Sequence, residues 1–184
     1  MFTPRRQAGL SLIELVMFIV IVGVAVAGVL SVMNVTTRHS ADPMIRKQAQ
    51  AIAESLLEEI ELQPFTYCFP TDPLALTASS AGLCTGGVTG SEDTLPATAR
   101  VSNPRNANNV SDYTNFSMSP IVDISGSPIT GLGTYTATVS ITQAGATFTL
   151  PAENVLQIDV RVVSGNTDVA LTGYRFRYAP NAVP

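Results

Sequence analysis

Apolar residues follow three different patterns along this chain. From Leu10 to Thr37 they form a nearly unbroken run, interrupted by a single charge at Glu14. From Met44 to Gln63 they recur at spacings of three and four: Ile45, Ala49, Ile52, Ala53, Leu56, Leu57 and Ile60. From Gly133 onward they alternate with Thr and Ser. Between the second and third patterns lies a long polar stretch, residues 64–133.

Each pattern predicts an element. The first, uncharged from Leu15 to Thr37, is long enough to cross a bilayer core of about 30 Å as a helix. Many of its residues are β-branched. In lipid, however, every backbone group must be paired within the segment, so helix overrides propensity. Gly23, Ala25, Ala27 and Gly28 could admit a second helix closely or simply soften this one. The second pattern is one apolar stripe of an amphipathic helix, with Arg46, Lys47, Gln50, Glu54, Glu58 and Glu61 opposite. Ser40-Ala41-Asp42-Pro43 between the two reads as a restart or as a kink within one continuous helix. If residues 10–63 were all helical they would span about 80 Å. Pro64 ends the second helix.

The third pattern predicts strands. Tyr135, Ala137, Val139 and Ile141 share one face; Gln143–Ala146 turns; Thr147–Leu150 returns. Val155–Val163 follows, then a turn at Ser164-Gly165-Asn166 and a last strand, Asp168–Tyr178. In that strand the aliphatic residues and Arg175 take one parity and Tyr174, Phe176 and Tyr178 the other, so a bulge near Gly173 would reconcile its halves. The polar middle has turn signals at Asp72-Pro73, Gly86-Gly87, Asn103-Pro104 and Ser127-Pro128, and short strands are expected at Thr98–Ser102 and Ile121–Ile124. The resulting fold class is α+β, an antiparallel sheet of about four strands packed on the amphipathic helix.

Glu14 is costly where it stands. An ionised side chain at a membrane helix centre costs at least about 2.5–3.5 kcal/mol, and less near an edge. A cleaved signal peptide normally has a shorter apolar region followed by a small-residue cleavage site, whereas the better break here precedes the run, at Gly9. An ordinary signal anchor fits the length but leaves Gly9 and Glu14 unexplained. Arg5-Arg6, then Gly9-Leu10-Ser11-Leu12-Ile13-Glu14, then the long apolar helix, resembles the processing site of type IV pilins and pseudopilins. That resemblance implies a leader of residues 1–9, cleavage after Gly9, methylation of the new N-terminus on Leu10, and a filament-assembly role for Glu14 as the fifth mature residue. It also implies the type IV pilin fold: 10–37 in membrane or filament core, 38–63 the amphipathic half, 64–184 a β-rich head. The mature amine offers Glu14 a counter-charge from another subunit; the plainer reading is that Glu14 helps the peptidase or sits among headgroups.

The run Ser40-Ala41-Asp42-Pro43-Met44-Ile45, with the helix up to Ile60, resembles the D-type minor pilins of the mannose-sensitive haemagglutinin pilus. Asp112-Tyr113 and Gly173 through Pro180 add to that likeness. It implies a low-abundance subunit that starts or caps an attachment filament. A minor pseudopilin of a type II secretion system shares anchor and fold. A signal-anchored periplasmic binding module or enzyme is the reading from another class. The implied partners are other major and minor pilins, the prepilin peptidase, an inner-membrane assembly platform and, before assembly, membrane lipid.

Charge and composition narrow this further. Arg5 and Arg6 precede the span, which places the N-terminus in the cytoplasm. The resemblance implies the inner membrane before assembly and an extracellular pilus afterwards. Net charge is −4, and loss of residues 1–9 with their two arginines brings it to −6, against a nucleic-acid partner. Arg161, Arg175 and Arg177 read as a solvated strand face. Cys68 and Cys84, an even pair in an exported domain, read as a disulfide, the alternative being two free thiols. No catalytic constellation is visible, so an enzyme is not expected, and no cofactor is implied. The single histidine, His39, stands beside Arg38 at the membrane edge. Glu58, Glu59 and Glu61 read as a solvated helix face. Asp112 with Asp123, or Glu92-Asp93, matches no calcium-loop spacing.

Overall fold

The computed structural model describes residues 11–96, 100 and 106–181, and of 35–42 the backbone only. The chain falls into two compact units, Met1–Met44 and Ile45–Pro184. Helix α1, Leu12–Leu62, passes from the first into the second and contains Pro43. The Pro43 segment is therefore not a restart. The helix begins where the Ser11 carbonyl accepts from the Glu14 and Leu15 amides at 3.0 and 3.2 Å.

In the first unit α1 is apolar all round. Leu12–Asn34 has a mean hydropathy of 2.9, and none of it is buried. A helix without a polar face has no favourable orientation in water, so this segment needs lipid or other helices around it.

The second unit has its core on the inner face of α1. Ala49, Ala53, Leu56 and Ile60 are buried at spacings of four, three and four, with Ile45, Ile52 and Leu57 at the margin. The sequence stripe is thus the core stripe. Opposite it lies a four-stranded antiparallel sheet in the order β1-β2-β3-β4: β1 Ser117–Met118, β2 Thr136–Gln143, β3 Val155–Ser164 and β4 Thr167–Phe176. Ala137, Val139 and Ile141 of β2 and Leu156, Ile158, Val160 and Val162 of β3 complete the core. Alternation puts one parity inside and the other out. Gly165 takes the left-handed φ, +56°, that the two-residue β3–β4 turn requires.

Several expectations are corrected. β4 pairs with β3 without interruption from Thr167 to Phe176, so there is no bulge at Gly173. Gly173 instead keeps the inner parity and lets α1 come close: a Cβ there would meet Glu61 Oε1 at 2.1 Å and Leu57 Cδ1 at 3.0 Å. Thr147–Leu150 is not a returning strand. The β2–β3 connection is two 3-10 turns, Gly145–Phe148 and Ala152–Asn154. Its tight path presses the Pro151 carbonyl on Gly145. The fourth strand is β1, from the polar middle. Ile121–Ile124 holds only a single bridge, Val122 to Pro128, because Asp123 accepts from the Ser125 and Ser127 amides and curls the chain. The expected strand Thr98–Ser102 lies, apart from Arg100, outside the described residues.

Tight approach at a glycine gives a test. At Gly145 a Cβ would lie 1.8 Å from the Pro151 carbonyl oxygen, a backbone atom. Gly145→Ala should therefore destabilise by about 1–3 kcal/mol. Gly173→Ala should cost less, because the flexible end of Glu61 can swing aside. Thermal denaturation of the full chain in detergent checks both values.

Candidate functional site

Glu14 stands in the first turn of α1. Among the described residues no side-chain hydrogen bond or ion pair reaches its carboxylate, and its apolar neighbours Ile13, Leu15 and Phe18 are exposed. Gly9 and Leu10 lie outside the described residues. The helix thus carries one carboxylate in a segment that cannot remain in water, next to the position where cleavage would create an amine. An ionised carboxylate enclosed in apolar surroundings without a counter-charge is costly.

Several charges of the head are tied internally. Arg177 is not on a solvated face. Its side chain is 1% exposed, its guanidinium lies 3.9 Å from the Phe65 ring centre and 4.5 Å from that of Tyr67, and it donates to Asp93. It takes the inner parity of β4, which continues into the loop below α1. Arg175 shares that parity and reaches the Gln63 carbonyl at 3.2 Å, at the end of α1. Arg161 alone fits the solvated reading, and it chelates Asp168 through Nε and Nη2 at 2.9 and 2.6 Å.

Glu92 and Asp112, considered above for calcium, are already engaged. Arg100 Nη1 donates to Glu92 Oε2 at 2.5 Å, Ser111 Oγ at 2.8 Å and Asp112 Oδ1 at 3.3 Å. Ser111 Oγ also donates to Glu92. Asp112 accepts from the Asn108 and Asn109 amides, and the Asn109 side chain donates to Thr66 Oγ1. No group of three or more His, Cys, Asp or Glu suited to a metal occurs among the described residues. Glu59 is only half solvated, because it accepts from the Tyr113 hydroxyl at 2.5 Å. Burial, and then the Glu59 carboxylate, hold that phenol above its ordinary range, so it remains a donor. These links escaped the sequence reading. Neighbouring acids carried no sign of which base they would meet, and Arg177 comes from a distant segment.

Cys68 and Cys84 are bonded, with Cα atoms 5.3 Å apart. They enclose a small second cluster with Ala75 and Ala78. Asp72 crosses the same loop, accepting from the Thr85 amide at 2.8 Å. The chain end is tied on as well: Asn181 Nδ2 donates to the Ala75 and Ala78 carbonyls at 3.0 and 2.9 Å.

Residues 4–30 match the family described as the prokaryotic N-terminal methylation motif. The match ends within the apolar helix and includes Gly9, Leu10 and Glu14. This motif supports a pilin- or pseudopilin-like chain that a prepilin peptidase processes and that is anchored in the inner membrane before assembly. The head, an antiparallel sheet on the second half of α1, agrees with the α+β type IV pilin fold. No curated protein and no solved structure matches the chain.

Two predictions follow from the buried charges. Arg177→Ala would leave Asp93 buried without its cation and should cost about 3–5 kcal/mol, measurable by denaturant unfolding of the full chain. Glu92 has its pKa raised by burial, against the opposing pull of Ser111 and Arg100. The folded state therefore holds that proton more tightly than the unfolded chain. Stability from this group is fully present below its ordinary value of 4.5 and is lost as pH rises through the raised folded value. The Tm of the native chain minus that of Glu92→Gln should fall as pH rises above 4.5; a flat difference would contradict the assignment.

Proposed function

We propose that this protein is a minor type IV pilin, incorporated in, initiating or capping a surface filament used for attachment. Prepilin peptidase cuts after Gly9 and methylates Leu10. Lipid holds the apolar half of α1 until an inner-membrane platform draws the subunit out among other pilins. The observation that carries this reading is the methylation motif running directly into an apolar helix with Glu14 as its lone acid. Among the described residues the head's buried charged groups serve as internal ties.

Glu14 acts by pairing with the Leu10 amine of an adjacent subunit. Both groups lose hydration on entering an apolar bundle, and each offsets the other's cost. The pair then rewards one axial register.

Mass spectrometry of the mature protein should find residues 1–9 removed and an N-methylated Leu10. Glu14→Leu should leave insertion and cleavage intact while this subunit disappears from sheared filaments. Undiminished recovery of the variant in the filaments would overturn the pairing. Recovery only with a secretion apparatus would overturn the pilus assignment.

A further inference from the structure

The second half of α1 covers one face of the sheet. The other face is made by the outward parity of β2, β3 and β4, and there Ser140, Arg161, Ala170, Thr172, Tyr174 and Phe176 are exposed. Its two ends differ in chemistry. At one end three aromatic rings form a shelf. Phe148, from the 3-10 turn after β2, meets Tyr174 and Phe176 edge to face, with ring centres 5.3 and 5.1 Å apart. Each ring nevertheless stays more than a third exposed. Rings locked against one another have little freedom left to lose on binding, and their open faces are apolar surface standing in water.

Beside the shelf runs a row of polar side chains whose directions are fixed. Strand register sets Gln157 beside Tyr174 and Asp159 beside Thr172. The Tyr174 hydroxyl donates to Gln157 Oε1 at 3.4 Å, Gln157 Nε2 donates to Asp159 Oδ2 at 2.8 Å, and Thr172 Oγ1 donates to Asp159 Oδ1 at 2.6 Å. The Asp159 carboxylate keeps further lone pairs, and the Gln157 amide a second proton, for a ligand. The row continues into a shallow trough of about 530 Å³ bounded by Asn115, Ser117, Ser140, Asp159, Arg161 and Ala170. Arg161 brings no net charge to it, because Asp168 chelates the guanidinium. From Ala170 to Phe176 the trough and the shelf together follow β4 for about 20 Å.

We propose that this face binds a neutral glycan, a β-1,4-linked ribbon of glucose or N-acetylglucosamine lying along β4. The inference deepens the attachment reading above, on which its biological use rests, by naming the chemistry that the head would grip. A pyranose with equatorial substituents has C–H bonds on its faces and hydroxyls at its rim. The C–H face suits the open rings of Tyr174 and Phe176. The hydroxyls, each both donor and acceptor, suit the row from Gln157 to Thr172. β-1,4 linkage keeps such rings in a straight ribbon, matching a site longer than one sugar, whereas α-1,4 linkage coils the chain away from it. Nucleobases also stack on exposed aromatic rings, but their phosphates demand a basic groove, and this chain carries a net charge of −4. A lipid surface would bury the Asp159 carboxylate against hydrocarbon without a cation, which is costly.

Calorimetric titration of the full chain in phosphatidylcholine nanodiscs, free of sugar-headed detergent, tests the site. Cellohexaose or N-acetylchitohexaose should bind saturably, and maltohexaose should bind several-fold more weakly. Tyr174→Ala should weaken binding about tenfold, the loss of one stacked ring, while Tyr174→Phe should keep most of it. Gln157→Ala should cost about threefold, the loss of a hydrogen-bonding partner. Ile124→Ser, which removes an exposed apolar side chain elsewhere on the head, should leave affinity unchanged. The Tm of each variant shows that the head is still folded. Absence of binding by both β-linked hexasaccharides, maltohexaose binding as tight as theirs, or affinity indifferent to Tyr174→Ala would overturn the proposal. The N-terminal mass of the same preparation separates the two readings. Glycan binding by a chain whose Gly9 stays uncut removes the pilin reading alone, and a cut Gly9 without binding removes the glycan site alone.

Discussion

The structure depends on one constraint: α1 must satisfy two environments along a single helix. Its first part has no polar face and no buried residue. Its second part has a core stripe, with two alanines where the sheet approaches. Apolar surface is worth about 25 cal/mol per Å² when removed from water, and Leu12–Asn34 gains none of that within its own chain. The deficit has to be met by lipid or by other helices. A protein so built is incomplete in water, and the demand falls on the one segment that also carries Glu14.

The head answers a different difficulty. Residues 64–133 contain many polar groups and little regular structure, yet Thr66, Ser91, Asn109 and Ser111 are fully buried. Buried polar groups must be hydrogen-bonded. Here Thr66, Asn109 and Ser111 are joined to one another and to Arg100, Glu92 and Asp112, while Ser91 bonds the Val88 carbonyl and the Asp93 amide, so side chains do the work that strand ladders do in the C-terminal half. The sheet and this polar region meet at Tyr113 and Phe116, whose rings pack edge to face at 5.8 Å. They also meet at Arg177, which carries β4's inner parity into the loop region.

Legibility in the sequence follows the same division. Periodicity disclosed α1's core stripe and the alternation of β2, β3 and β4, because burial on one face leaves a pattern of period 3.6 or 2. The cysteine pair was legible from its parity and setting. The bulge at Gly173 was misread, because a missing side chain looks like a break in alternation when it is in fact space for Leu57 and Glu61. Thr147–Leu150 has strand composition, yet Gly145 and Pro151 bend that connection into 3-10 turns. Arg100 and Arg177 were hidden for a different reason. A charge in a sequence looks solvated until its partner is known, and these partners lie eight and eighty-four residues away.

The ties made by the segment after β4 bear on how the head holds together. Arg177 supplies the cation for Asp93, Asn181 caps two carbonyls inside the disulfide loop, and the Pro180 carbonyl accepts from the Tyr67 amide. Residues 177–181 thus close over the loop that follows α1. Loosening that short strap would expose the disulfide loop and leave Asp93 without its cation, though no strand of the sheet had been touched.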